Sequence, residues 1–317
     1  MKKILLVLFV AALFAGCSES TTAPSTAAAQ VERPSIVGVA NFVAKTDSLK
    51  SAREFYNGDL GYEEAFLHKR PGIEGDIAAF KVNDRQFIEL SPTLQNEDED
   101  KLIQLGFETT DAKQLRDYLA QQGIDVPATV ELDPDGNLSF RVMDPEGHRV
   151  EFVQYLPDSV QMKDQGQHLS DDRISDNILH VGADFKDEAK ADAFYKTVLG
   201  FRPLWRGGMK DDRADWISLL VPNGSNWIEY MMWQPGHPPD PNTLGVWNHV
   251  CVGTTDIQKV WNTVVSRGYK GNQPPSIGRD GRWLLHLYDQ HHTRTEVMVR
   301  KPVETPCCGP MDDPYTD

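Results

Sequence analysis

Basic charge is what this chain has least of. Its 32 Lys and Arg stand against 47 Asp and Glu, a formal charge of -15 at pH 7. A field of that sign repels phosphate backbones, so no nucleic-acid partner is expected. Cysteine is also scarce: 4 in 317 residues do not make a disulfide scaffold. No apolar run reaches the roughly 20 residues that span a bilayer; residues 4–14 come nearest. Tryptophan is absent until position 205, after which all 7 occur. What remains is ordinary globular composition, 40% hydrophobic and 25% charged, with a mean hydropathy of -0.45. That excludes wholesale disorder, collagen and a polytopic membrane protein. The length suits two domains of about 150 residues each.

The N-terminus reads as a processing signal. Met1-Lys2-Lys3 is basic, 4–14 is an apolar run too short to span, and Ala15-Gly16-Cys17 closes it with small residues. Residues 1–17 resemble a bacterial lipoprotein signal, in which the cysteine is lipidated; Phe14 stands where that pattern usually has Leu. The resemblance implies lipidation at Cys17. It also implies export, with a lipid anchor holding the chain to the cell envelope on the periplasmic side. The plainer alternative is an ordinary signal peptide cut near Ala15. Residues 18–32 are rich in Ser, Thr and Ala and read as a flexible tether.

An internal repeat organises the rest. Residues 43–62 and 182–201 share an apolar strand, an acidic residue placed to cap a helix (Asp47, Asp187), and an amphipathic helix. Each helix ends in Phe-Tyr-x-x-x-Leu-Gly-aromatic, Phe55 to Tyr62 and Phe194 to Phe201. Phe107-Glu-Thr-Thr-Asp111 and Val252-Gly-Thr-Thr-Asp256 each lead a further helix. Alternation predicts strands over 87–90, 140–143, 150–155, 227–233, 283–288 and 295–299. These signals divide the chain into a first domain at 33–156, a linker at 157–173, a second domain at 174–302 and a tail at 303–317.

The double pattern resembles the vicinal oxygen chelate (VOC) superfamily of glyoxalase I, bleomycin-resistance proteins, epimerases and extradiol dioxygenases. The helix ends, Asp144-Pro-Glu-Gly-His-Arg-Val-Glu151 and the pairs Ile88-Glu89 and Ile228-Glu229 carry the likeness. It implies an α+β fold of two tandem VOC domains, each a pair of βαβββ units curled into a cup-shaped, mixed half-barrel. It also implies one divalent metal, chelated by the adjacent oxygens of a small-molecule substrate. The family's ligand positions fall on His180, Glu229, His249 and Glu296. Two imidazoles and two carboxylates suit Fe(II), which is favoured, or Ni, Co, Zn and Mn. In the first domain the same positions are Asn41, Glu89, Gln104 and Glu151, which reads as a decayed site; a weak second metal site is the alternative.

Strand alternation adds neighbours. Trp227, Met231 and Trp233 share a face with Glu229, Trp247 and Cys251 share one with His249, and Met298 shares one with Glu296. These residues other than Cys251 are the candidate substrate pocket; Trp261 reads as core. His286, with Tyr288 on its face, and Glu229 are the candidate catalytic residues; a polar strand residue without a role is the alternative for His286. His291-His292 reads as a solvent turn. Cys307 and Cys308 are not expected to bond to each other; they read as a metal contact or a feature without a role.

Three readings of function follow. Extradiol-type dioxygenase chemistry on a small aromatic or vicinal-oxygen substrate is favoured. A glyoxalase- or epimerase-like lyase or isomerase, working through a metal-bound ene-diolate, is the second. Glu229 speaks for it, whereas an exported chain would not meet the cytosolic thioester and glutathione substrates. A non-catalytic binding protein is the third. An oligomer is left open.

Overall fold

The computed structural model describes residues 30–234, 236–312 and 314–315. The signal segment and Cys17 lie outside the described residues, as does nearly all of the tether. From Val31 onward the chain forms one compact unit. The first half contributes β1 (Ile36–Lys45), β2 (Glu64–His68), β3 (Ile77–Asn83), β4 (Gln86–Ser91), β5 (Leu102–Thr109), β6 (Glu131–Leu132), β7 (Leu138–Met143) and β8 (Arg149–Gln154). The second contributes β9 (Ile178–Phe185), β10 (Arg202–Gly207), β11 (Trp216–Leu220), β12 (Trp227–Met232), β13 (His249–Thr254), β14 (Ser276–Ile277), β15 (Trp283–Tyr288) and β16 (Arg294–Val299).

The sheets run β2-β3-β4-β1-β5-β8-β7-β6 and β10-β11-β12-β9-β13-β16-β15-β14. Each is therefore two βαβββ units side by side, the α+β architecture that the resemblance implies. The units meet through antiparallel β1–β5 and β9–β13 pairs, so each cup is built from consecutive units of one half. Within a unit, the first and last strands pair in parallel, as β9 does with β12 and β13 with β16.

The helices follow from their caps. Helices α1 (Leu49–Ala52), α2 (Ala112–Gln121), α3 (Val160–Lys163), α4 (Glu188–Asp192), α5 (Pro241–Trp247) and α6 (Ile257–Arg267) begin after Ser48, Asp111, Ser159, Asp187, Asp240 and Asp256. Each of these side chains accepts a hydrogen bond from a first-turn backbone N–H. Asp47, expected as the first cap, yields that role to Ser48. Helices α1 and α4 continue as π turns over Arg53–Asp59 and Ala193–Val198. The consecutive pairs Phe55-Tyr56 and Phe194-Tyr195 within these turns are all buried.

One hydrophobic core runs through both halves. Phe107 meets Phe201 edge-on at 5.3 Å between ring centres. Two amides clasp β1 to β9: Asn226 Oδ1 accepts the Val39 N–H (3.1 Å), and Gln86 Oε1 accepts the Ile178 N–H (2.8 Å). Both are buried, where an unpaired backbone group costs about 1–3 kcal/mol.

Two turns depart from expectation. His291 is buried between the halves, its Nδ1 2.7 Å from Glu97 and its Nε2 3.0 Å from Asp47. It is not in a solvent turn, because two carboxylates of the first half reach over it. Cys307 and Cys308 are bonded to each other, against expectation; the backbone accommodates the bond with a positive φ of 71° at Cys308.

Candidate metal centre

Four adjacent strands, β12, β9, β13 and β16, carry Glu229, His180, His249 and Glu296. Pairing aligns Trp227, His180, Cys251 and Glu296 in one row across the sheet, and Glu229, Gly182 and His249 in the next. The ligating atoms of the four residues lie within 4.8 Å of one another. His180 Nε2 is 3.0 Å from His249 Nε2 and 3.5 Å from Glu296 Oε2. His249 Nε2 is 3.2 Å from Glu296 Oε2. Glu229 Oε2 stands further off, 3.8 Å from His180 and 3.7 Å from His249. Donors bound to one ion at about 2.1 Å stand roughly 3.0–3.5 Å apart when adjacent, so the first three fit one ion and Glu229 sits at the margin.

Gly182 makes this possible. A Cβ there would come within 2.1 Å of His249 Cε1, so only glycine lets the ring lie across β9. His249 Nδ1 donates to the Trp247 carbonyl (2.7 Å), which fixes the tautomer and leaves the Nε2 lone pair facing the cluster, with Arg294 Nη2 3.0 Å away. Burial, with the Arg294 guanidinium second, lowers His249 to about 3, so the ring is neutral. Burial alone would raise Glu296; the Arg294 guanidinium first, and the imidazoles of His180, His249 and His286 beside it, outweigh burial and hold the carboxyl well below its ordinary range. Glu229 is pushed up to about 7, chiefly by burial. The buried Glu296, the partly buried Glu229 and two buried imidazoles are a donor set that a divalent cation satisfies.

A cavity of about 400 Å³ opens over the centre. Trp205, Trp216 and Met298 form its apolar wall, and Glu229, Glu296 and Arg294 lie at its polar end. His286 also lines it, with Nε2 3.3 Å from Glu296 Oε1.

Of the expected pocket residues, Met298 lines this cavity and four do not. Trp227 is buried behind His180, its ring centre 4.9 Å from the imidazole. Met231 is buried further along β12, opposite Trp216. Trp233 lies past the end of β12 and donates to Asp184 (2.8 Å). Trp247 ends helix α5, so strand alternation does not reach it. Tyr288 shares a face with His286, with ring centres 6.5 Å apart, and stands opposite Arg294 outside the cavity lining. Arg294 was missed although it lies two residues before Glu296 on the same strand face; the expected strand began one residue late. Trp205 and Trp216 lie on strands that alternation did not single out.

The first half resolves the same geometry differently. Arg70, from the loop after β2, inserts its guanidinium between Glu89 and Glu151; Nη2 is 2.5 Å from Glu89 and Nη1 2.7 Å from Glu151. Asn41 and Gln104 donate to Glu151 as well (3.1 and 2.9 Å). His68 bridges Asp135 (2.5 Å) and Glu89 (3.3 Å). Glu89 falls to about 2, because Arg70 and His68 outweigh its burial. His68 rises to about 9, because Glu89 and Asp135 outweigh its burial. These carboxylates are met by the chain's own cation, which leaves no room for the weak second metal site.

The sequence model of the Glyoxalase/Bleomycin resistance protein/Dioxygenase superfamily matches residues 177–297, the stretch that carries all four donors. The chain carries a domain of that superfamily. No curated protein matches the chain in sequence. Among solved structures, it is similar to the Mn(II)-bound glyoxalase from Novosphingobium aromaticivorans at 15% identity and a TM-score of 0.63, with 87% of this chain and 86% of that one covered. It is similar to homoprotocatechuate 2,3-dioxygenase from Arthrobacter globiformis at 17% identity and 0.62, covering 90% and 84%. It is also similar to the 2,3-dioxygenase LapB from Pseudomonas sp. KL28 at 14% identity and 0.61, covering 87% and 97%. At these identities the likeness is one of fold, and the first half shares the strand order of the second.

Proposed function

We propose that this VOC protein is a metal-dependent enzyme of extradiol-dioxygenase type, acting on a small aromatic or vicinal-oxygen substrate. The observation that carries the reading is the close triangle of His180, His249 and Glu296, with Glu229 set further out. Two histidines and one carboxylate on one side of an ion leave adjacent positions open, the arrangement of non-haem Fe(II) oxygenases. Fe(II) bound there would supply Lewis-acid and redox chemistry to a substrate held through two adjacent oxygens.

The chain's own residues do the rest. Trp205, Trp216 and Met298 offer an apolar wall to a planar ring and keep bulk water from it. His286, in the cavity and hydrogen-bonded to Glu296, can hold a proton on its ring and return it to a substrate oxygen. Arg294 keeps Glu296 ionised. The sequence pattern at 1–17 supports placing this activity outside the cytoplasm, on a lipid anchor at Cys17.

Glu229 favours a second reading. If it joins the donors or shuttles a proton, the site resembles one for lyase or isomerase chemistry on an ene-diolate. Likeness to a Mn(II)-bound glyoxalase points the same way.

The test is metal content per chain after anaerobic loading, followed by O₂ uptake with catechols. About one Fe(II) per chain, with catechol-dependent O₂ uptake abolished in His249→Ala, supports the dioxygenase. One Ni, Co, Zn or Mn without O₂ uptake transfers the reading to a lyase or isomerase. No bound metal leaves a ligand-binding protein.

A further inference from the structure

The two edges of the second sheet are β10 and β14, and the C-terminal tail links the loop after β14 to β10 beside the cavity. Val303 and Glu304 donate backbone N–H groups to the Gly281 carbonyl (2.8 and 3.1 Å), and Cys307 donates to the Arg279 carbonyl (2.9 Å). At the far side Trp205 Nε1 donates to the Cys307 carbonyl (3.1 Å), and the Asp312 N–H to the Leu204 carbonyl (2.9 Å). Cys307 and Met311 pack against the apolar cluster that contains Trp205 and Met298. Trp205 and Arg279, the two residues tied to Cys307, both line the cavity over the four donors.

In the middle of this span sits the Cys307–Cys308 bond. Cys308 is exposed, while Cys307 is partly covered. Cys308 has a φ of 71° and Gly309 one of 148°. Glycine adopts such angles freely, but a cysteine adopts them at a cost unless it is constrained. The ring closed by the disulfide is that constraint. Arg279 Nη2 and Asp211 Oδ1, themselves an ion pair, each lie 3.8 Å from Cys308 Sγ.

We propose that Cys307–Cys308 is a thiol–disulfide exchange site whose state sets how firmly the tail ties Arg279 to Trp205 at the cavity's edge. A dithiol supplies the two electrons. Its thiolate attacks the exposed Cys308 sulfur, the bond to Cys307 breaks, and Cys307 leaves as a thiolate that takes up a proton. The second thiol of the reductant then attacks its own sulfur in the mixed disulfide. Cys308 is released as a thiol, and the reductant becomes a disulfide. With the ring open, nothing covalent holds Cys308 at positive φ, and the hydrogen bonds to Arg279 and Trp205 loosen. The inference does not depend on what the cavity binds.

The test is alkylation and hydrogen exchange by mass spectrometry on the full chain, before and after dithiothreitol. Reduction is expected to expose two further alkylatable thiols. The amides of 303–312 should exchange about tenfold faster, with 203–206 following, while strand β1 stays unchanged. The double variant Cys307→Ser/Cys308→Ser should exchange like the reduced protein without reductant and ignore dithiothreitol. Two results overturn the proposal: both thiols free in the untreated protein, or tail exchange at the same rate whether oxidised or reduced. Unchanged exchange in β1 separates either outcome from general unfolding.

Discussion

The two halves bury the same pair of glutamates at matching places and neutralise them by different means. In the first half, Glu89 and Glu151 close on the guanidinium of Arg70. At the corresponding loop position the second half has Met209, which lines the cavity. There Glu229 and Glu296 face two histidines and open space. Arg149 in the first half turns outward to the carbonyls of Pro71 and Gly72. Its counterpart Arg294 turns inward, with Nη2 2.8 Å from His249 Nδ1 and only 4.0 Å from Glu296. A buried carboxylate pair needs a cation. In the first half Arg70 bridges both carboxylates; in the second Arg294 reaches only Glu296 of the pair, and the imidazoles and cavity leave a place that a cation from outside would fill. One scaffold thus yields a half with a closed ion-pair network and a half with an open candidate site.

The comparison can be broken at several points. The largest effect is expected from His249→Ala. Loss of an outer partner of a metal ligand already costs about 10–100-fold in affinity, so loss of the ligand itself should cost more, read by metal titration. Next comes Arg70→Met, which gives the first half the second half's residue. Removing the guanidinium that Glu89 and Glu151 share, with His68 and Arg141 left as their partners, should cost about 3 kcal/mol in urea denaturation. Added divalent metal should not restore this loss, because Asn41 and Gln104 are weak neutral donors. A variant that bound metal and recovered would show that the halves differ by this one residue.

Gly182→Ala should be milder. The new methyl collides with the His249 ring and should cost about 1–3 kcal/mol of stability, with weaker metal binding beside it. A fold that weakens without any change in metal affinity would mean that Gly182 serves packing alone.

The smallest effect is a pH dependence of the first half. His68 is raised to about 9, so its contribution is complete below about 6.5 and is lost as pH rises through 9. Glu89 is lowered to about 2, so its contribution is present above about 4.5 and is lost as pH falls through 2. Metal-free protein should therefore lose on the order of 1–3 kcal/mol between pH 6 and pH 10, and His68→Gln should flatten that arm.

Much of this was legible in the residues themselves. Repeated helix ends and caps announced the paired units, because capping and hydrophobic period are local. The four donor positions were legible only through the family resemblance, which assigns them to particular strands of the repeated unit. Arg70 was not legible: it lies in a loop without periodicity, and its partners are far along the chain. Trp247 was misassigned to a strand, because a helix capped by Asp240 runs up to it. His291 looked like a turn residue, because Asp47 and Glu97, which bury it, belong to the other half.

The sequence by itself determined the internal repeat and its helix caps, since each depends on capping and hydrophobic period over a few residues; the four donor positions came from the family resemblance. Tertiary structure alone decided that Arg70 closes the first site, how Gly182 lets the His249 ring cross β9, and where the tail ties the sheet edges. Those outcomes depend on contacts between residues far apart in the chain, and such contacts exist only once the sheets have curled and packed.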